Sequence, residues 1–222
     1  MNQLLEGKLL LINKPLGWTS FDVIRKLRSV TKVKKMGHAG TLDPLATGLL
    51  IICTGRFTKN INQYMGAEKE YTGTFTLGAI TPTFDLESAP QDFKPVDLLT
   101  NAMLENKAKQ FLGEIEQVPP VHSAIKQEGK PVYLLARKGM DVKMVPRKIT
   151  IREFEITGVE IPVVKFRVVC TTGTYIRSLA FDFGKSLGCG AYLSSLCRTR
   201  IGEFTIRDAE TPEEFAEKFR QG

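Results

Sequence analysis

Long apolar runs, metal-ligand clusters and internal repeats are missing from this sequence, and each absence removes a class of function. No stretch approaches the length of a membrane span, and Met1-Asn2-Gln3-Leu4-Leu5-Glu6-Gly7 sets no basic segment ahead of an apolar one. We therefore expect a cytoplasmic protein with no membrane partner. Histidine is scarce, with only His38 and His122, and the four cysteines Cys53, Cys170, Cys189 and Cys197 show no CxxC spacing. A zinc or iron centre is thus not expected, and buried reduced thiols fit better than disulfides. Without repeats, low-complexity tracts or a flexible linker, residues 1–222 read as a single α+β domain around a mixed or antiparallel sheet flanked by helices.

Negative charge is sparse where positive charge gathers. Residues 1–60 hold ten Lys or Arg against Glu6, Asp22 and Asp43, and a second basic stretch runs from Lys126 to Arg152. The segment from Asp85 to Glu116 and the C-terminal tail are acidic. Such an uneven spread, with a net charge of +7, points to a face that binds a polyanion.

Periodicity and punctuation give the elements. A strand over Lys8–Asn13 stops at Lys14-Pro15-Leu16-Gly17, and Ser20 caps a helix to about Val30. Strands are expected at Leu49–Cys53, Tyr71–Gly78, Ile149–Thr157, Val163–Thr171 and through Tyr192–Cys197. Helices are expected at Asn60–Met65, at Val96–Phe111 with Leu99, Met103 and Leu104 inward, from Pro131 to Gly139, and at Thr174–Leu187 with Ile176, Leu179, Ala180 and Phe183 inward. Thr211-Pro212-Glu213-Glu214 is a capping box that opens a last helix.

Between the first helix and the Leu49 strand lies Gly37-His38-Ala39-Gly40-Thr41-Leu42-Asp43-Pro44-Leu45-Ala46-Thr47-Gly48. Its glycines and proline exclude a helix and place one carboxylate, Asp43, on a shaped loop beside a core strand, where catalytic groups are commonly displayed. The plainer account of Asp43-Pro44 is a tight turn. One of the two histidines sits in the same loop, and a cationic stretch (Arg25, Lys26, Arg28, Lys32, Lys34, Lys35) leads into it, which a turn does not need.

Five segments in order give the chain a resemblance to the TruB family of tRNA pseudouridine synthases. They are Asn13-Lys14-Pro15-Leu16-Gly17-Trp18-Thr19-Ser20; the Gly37–Gly48 run with Gly55-Arg56-Phe57-Thr58-Lys59; Lys69-Glu70-Tyr71; Val118-Pro119-Pro120-Val121-His122-Ser123-Ala124; and Gly173-Thr174-Tyr175-Ile176-Arg177-Ser178-Leu179. The resemblance implies a pseudouridine synthase fold and isomerisation of uridine 55 in the T loop of tRNA, without a cofactor and with no protein partner implied. Asp43 matches the family's essential aspartate, whether it attacks sugar or base or assists proton movement at the sugar. Arg177 matches the arginine that pairs with that aspartate, and Tyr71 the aromatic that stacks on the flipped base. His38 matches the histidine that fills the gap left by the base, and Tyr175 and Leu196 match further uridine contacts. Lys14 and Lys59 are assigned to support of the motif loop or to phosphate contact. Residues 123–152, with Lys143, Arg147 and Lys148, match a basic RNA-gripping insertion. His122 is given no catalytic role. The sequence ends at Gly222 where many members continue into a PUA module, so a short form lacking that module is expected.

Two other classes compete. An RNA-binding module or tRNA-folding chaperone would use the same charge without needing Asp43, and some family members also assist tRNA folding. A glycosylase or nuclease would release base or cleave the chain, whereas isomerisation leaves the RNA mass unchanged.

Overall fold

The computed structural model describes residues 2–121, 123, 126–127, 130–131 and 144–221. They form two compact units, one of Met1–Thr72 with Ser195–Gly222 and one of Gly73–Ser194. Two strands, β4 (Lys69–Leu77) and β10 (Ala191–Ile201), begin in one unit and end in the other.

In the first unit, α1 (Asn2–Glu6), β1 (Leu9–Lys14), α2 (Ser20–Thr31), β2 (Met36–His38) and β3 (Ala46–Thr54) precede a 3-10 turn over Gly55–Asn60 and α3 (Ile61–Gly66). Strand β3 is the centre: β1 runs antiparallel along one edge, Leu9 opposite Cys53 to Lys14 opposite Gly48. Its other edge is shared, with β10 parallel to its first residues and β2 antiparallel to its last. The apolar run that marks this strand in the sequence lacks alternation because both its faces are covered. Leu50 and Ile52 face Val23, Ile24 and Leu27 of α2 and Phe215 of the last helix, whereas Leu49, Ile51 and Cys53 pack with Ala39 and Ile201. Glu214 accepts from the Thr211 amide at 2.7 Å and the Thr211 hydroxyl accepts from the Glu214 amide at 3.1 Å, the reciprocal cap expected.

In the second unit, β5 (Gly113–Gln117), β8 (Arg147–Glu160) and β9 (Val163–Cys170) are antiparallel neighbours, and β9 adjoins β4. A short pair, β6 (Lys126–Gln127) with β7 (Lys130–Pro131), lies outside that sheet. Phe75 stacks on Phe166 with centroids 4.1 Å apart, and Phe154 and Phe183 close the ring cluster. Phe183 comes from α5 (Ile176–Ser186), whose Ile176, Leu179 and Ala180 are buried as the spacing predicts. A Cβ at Gly184 would lie 2.1 Å from the Ala191 amide nitrogen, so only glycine lets α5 approach that backbone.

The sheets are antiparallel or mixed and carry helices, the α+β class expected. Four local expectations change. The cap of α2 is Thr19, which accepts from the Asp22 amide at 3.0 Å, and this releases the Ser20 hydroxyl for other work. The helix expected from Val96 is α4 (Asn101–Lys109), capped by Thr100; Leu104 and Ala108 are its buried residues and Met103 faces solvent. The following segment forms β5, because its Glu114 and Glu116 alternate out from a half-covered edge strand, a pattern too short to register beside Pro119-Pro120. Pro131 belongs to β7, and the rest of the helix expected up to Gly139 lies outside the described residues, as do His122 and Lys143. Cys53 and Cys189 are buried free thiols, Cys170 is buried, and Cys197 is half-buried and free.

Candidate functional site

The loop that carries Asp43 is a turn after all, but one held at nearly every residue. Asp43 and Ala46 close it, the Ala46 amide donating to the Asp43 carbonyl at 3.0 Å with Pro44 at the corner that proline favours. Leu42 is clasped by the Ser20 hydroxyl, which accepts from its amide at 2.9 Å and donates to its carbonyl at 3.3 Å. The Pro44 carbonyl accepts from the Gly17 amide at 2.8 Å. Thr47 Oγ1 donates to the Leu196 carbonyl at 3.3 Å. The proline-glycine stop after β1 and the start of α2 therefore shape the loop from one side, and β10 from the other.

Two buried cations complete the frame. Arg198, 1% exposed, directs its fork at main-chain carbonyls: Nε to Leu49 at 2.8 Å, Nη2 to Gly40 at 3.1 Å and Nη1 to Thr41 at 3.5 Å. It stands opposite Gly48 in the parallel pairing, where φ is +106° and a Cβ would meet the Arg198 carbonyl oxygen at 2.4 Å. Only glycine allows that approach. Lys14, fully buried, donates from Nζ to the carbonyls of Pro15 at 2.9 Å, Trp18 at 2.6 Å and Pro44 at 3.4 Å. Burial drops its pKa to about 8, against the opposing pull of the Asp43 carboxylate, with Arg198 lowering it further. Those three bonds tie the Pro15–Trp18 turn to the Pro44 carbonyl through one ammonium.

The same unit holds four more of the expected residues. Leu196, half-buried, pairs with Ala46 at the end of the loop. His38 stands on β2 opposite Ile52; burial, then the nearby Arg198, lowers its pKa against the Gly40 backbone, which favours the neutral ring. Its Nδ1 is buried and without a hydrogen-bond partner. Tyr71 is 9% exposed on β4, next to Glu70, which accepts from the Thr199 hydroxyl of β10 at 2.7 Å. Lys59 is exposed on the 3-10 turn.

In the second unit, Arg177 opens α5 and is 4% exposed. Its Nε lies 3.6 Å from Oδ2 of Asp85, itself buried, and its Nη1 lies 3.4 Å from the Thr83 carbonyl. Tyr175 is fixed through its backbone: Gln117 accepts from its amide at 2.8 Å and donates to its carbonyl at 3.0 Å. Arg147 and Lys148 lie at the start of β8, exposed, and Lys148 is paired with Glu114 at 2.9 Å, which raises its pKa. Its charge is already shared with β5.

Sequence reasoning missed Arg198, Asp85 and the second role of Ser20. No local signal marks Arg198, which falls one residue past the expected Tyr192–Cys197 strand, beside Arg200. Asp85 opens a segment that reads only as acidic, and Ser20 reads as a cap.

Comparison with known proteins agrees with the motif match. Residues 28–176 fit the model of "TruB family pseudouridylate synthase (N terminal domain)". The chain is 51% identical over 212 residues to tRNA pseudouridine synthase B of Flavobacterium johnsoniae, covering 92% of this chain and 93% of that protein. It is 50% identical over 221 residues to the protein of the same name from Parabacteroides distasonis, covering 97% and 94%. Among solved structures it resembles a chain of a Cbf5-Nop10-Gar1 complex, with TM-score 0.71 and 30% identity over 91% of this chain. It also resembles a chain of an H/ACA RNP bound to a substrate RNA containing 2'-deoxyuridine, with TM-score 0.72 and 26% identity over 96%. The chain spans about half the length of these two, 50% and 53%.

Proposed function

This chain belongs to the TruB family of pseudouridylate synthases, and we propose that its reaction is carried by Asp43 from the loop that Arg198, Ser20 and Lys14 hold. It is an isomerase that converts uridine 55 in the T loop of tRNA to pseudouridine. The N1–C1' glycosidic bond is cut, the uracil turns, and a C5–C1' bond replaces it; C5 gives up its proton and N1 ends with one. Because the substrate supplies its own leaving group, the protein must chiefly extract, orient and hold the base. No cofactor enters this scheme.

A single observation supports the reading most: main-chain bonds or buried cations fix the loop on both sides of Asp43, so its carboxylate is presented in one place before substrate arrives. Tyr71 stacks on the flipped uracil, a contact worth about 1 to 3 kcal/mol in single-stranded recognition. Leu196 gives it an apolar wall. His38 takes the vacated place in the T loop; burial lowers its pKa and so favours the neutral ring, which stacks without bringing a charge among bases. Tyr175 and Arg177 keep the uridine-contacting and carboxylate-partnering roles that the motif match assigns. Lys59 and Arg147 meet phosphates of the T arm, with Lys143 and Lys148 as further contacts. The reaction takes place in the cytoplasm; among the described residues no helix is long and apolar enough to cross a membrane.

Replacing Asp43 by Asn keeps size and polarity and removes the charge. Tritium release from C5-labelled tRNA is expected to vanish while tRNA binding persists, and an Asp43→Asn protein as active as the parent would remove the mechanism.

A further inference from the structure

Four cations gather on a surface groove that the proposed chemistry leaves unused. Helix α2 ends at Lys32, in the left-handed region at φ +60°, its amide donating to the Arg28 carbonyl at 2.9 Å. The chain turns sharply there. Val33 drops into the core while Lys32, Lys34 and Lys35 stand in solvent. The Lys35 carbonyl then accepts from the Gly55 amide at 2.9 Å, which draws the 3-10 turn alongside and adds Arg56. The result is a groove of about 430 Å³ lined by Leu5, Lys32, Val33, Lys34, Lys35, Gly55 and Arg56, with no carboxylate in its lining.

These cations have no carboxylate beside them in the groove. Arg25, Lys26, Arg200 and Lys218 of the same unit are each in an ion pair with Asp or Glu, and Arg28 donates to the Met36 carbonyl. Among the described residues, Lys32, Lys34, Lys35 and Arg56 have neither an ion pair nor a side-chain hydrogen bond. Like charges held together repel and lower stability, so this arrangement is costly unless an anion neutralises it. Long, exposed, flexible donors spread around an open groove suit a polyanion backbone, not a small ligand that must be enclosed.

The position is as informative as the charge. Strand β3 has the Asp43 turn at its first residue and this groove at its last, and at 3.4 Å per residue those ends are about 27 Å apart. We propose that the groove binds backbone phosphates of the tRNA substrate at a point about 27 Å from the reacting uridine, an anchor separate from the site that handles the base. Lys59, one turn further along the same 3-10 segment, extends the track toward the rest of the RNA. The inference rests on the reading that this chain acts on tRNA.

The test is the quadruple variant K32Q/K34Q/K35Q/R56Q, compared with wild type for binding and modification of full-length tRNA between 50 and 200 mM KCl. Each lost phosphate contact flattens the plot of log affinity against log salt by about 0.7 to 0.9, so four flatten it by about 3, and wild-type affinity falls about 60-fold more than the variant's over that range. KM rises at low salt and kcat at saturating tRNA holds, with an unchanged thermal midpoint showing an intact fold. A variant with the wild-type salt slope and KM overturns the proposal and leaves the groove to an acidic protein partner. A fall in kcat with no change in slope also overturns it. Failure of the functional reading looks different, since wild type itself then forms no pseudouridine.

Discussion

Arg198→Lys isolates the framing of the Asp43 loop from its chemistry. The substitution keeps a buried positive charge and removes the planar fork, so an ammonium can serve one of the carbonyls of Leu49 and Gly40, now bonded at 2.8 and 3.1 Å, but not both with the same geometry. A hydrogen bond to a charged group contributes about 1.5 to 3 kcal/mol, and a buried carbonyl left alone adds its own desolvation cost, so the expected loss is about 2 to 4 kcal/mol. Trp18, the sole tryptophan, lies in the same unit and packs on its core, so its fluorescence during urea denaturation reports the stability of this unit alone. The catalytic consequence is separable. A carboxylate displaced by about 1 Å loses on the order of 100-fold in kcat, whereas KM for tRNA, set by phosphate and base contacts elsewhere, stays within about threefold. If Arg198→Lys retains both the wild-type urea midpoint and kcat, the fork does not hold the loop.

Other outcomes follow from the same geometry. Lys14 has a pKa near 8 in the fold against 10.5 unfolded, so below pH 8 both states carry the proton and the burial cost is present in full. As pH rises from 8 to 10.5 the unfolded chain holds the extra proton, and stability rises by about 3 kcal/mol; Lys14→Met loses that rise, and equal pH slopes in urea titrations of the two proteins would contradict it. Asp85→Asn takes the carboxylate from a buried arginine at 3.6 Å, and breaking such a pair costs about 3 to 5 kcal/mol. Its melting temperature should fall, with activity on tRNA reduced in parallel; a melting curve that matches wild type would show that Arg177 does not rely on Asp85.

The parts of the molecule legible in the sequence are those set by local rules. The Thr211 cap, the apolar side of α5 and the doubly buried run of β3 announce themselves by spacing and composition. So does the Asp43 turn, whose glycines and proline can do little else. What holds that turn is legible only in part: the motif match assigns Lys14 to support of the loop, but Arg198 and Ser20 reach it from positions where each has an ordinary local explanation, a strand cation and a cap. Met103 shows the converse error. Helical spacing placed it inward, yet the helix starts five residues later than composition suggests, at the Thr100 cap, and presents that side chain to water.

The unit that contains the loop is discontinuous in the chain, closed by residues 195–222 returning to the first 72. A ribosome delivers Gly37 to Gly48 early and Arg198 about 150 residues later, roughly 8 to 30 s at ordinary elongation rates. Through that interval the carboxylate therefore exists without Arg198 to brace its loop. The proposed active-site loop is timed by its own topology: a nascent chain holds Asp43 about 150 residues before it holds Arg198, so under the proposed mechanism competence waits for β10.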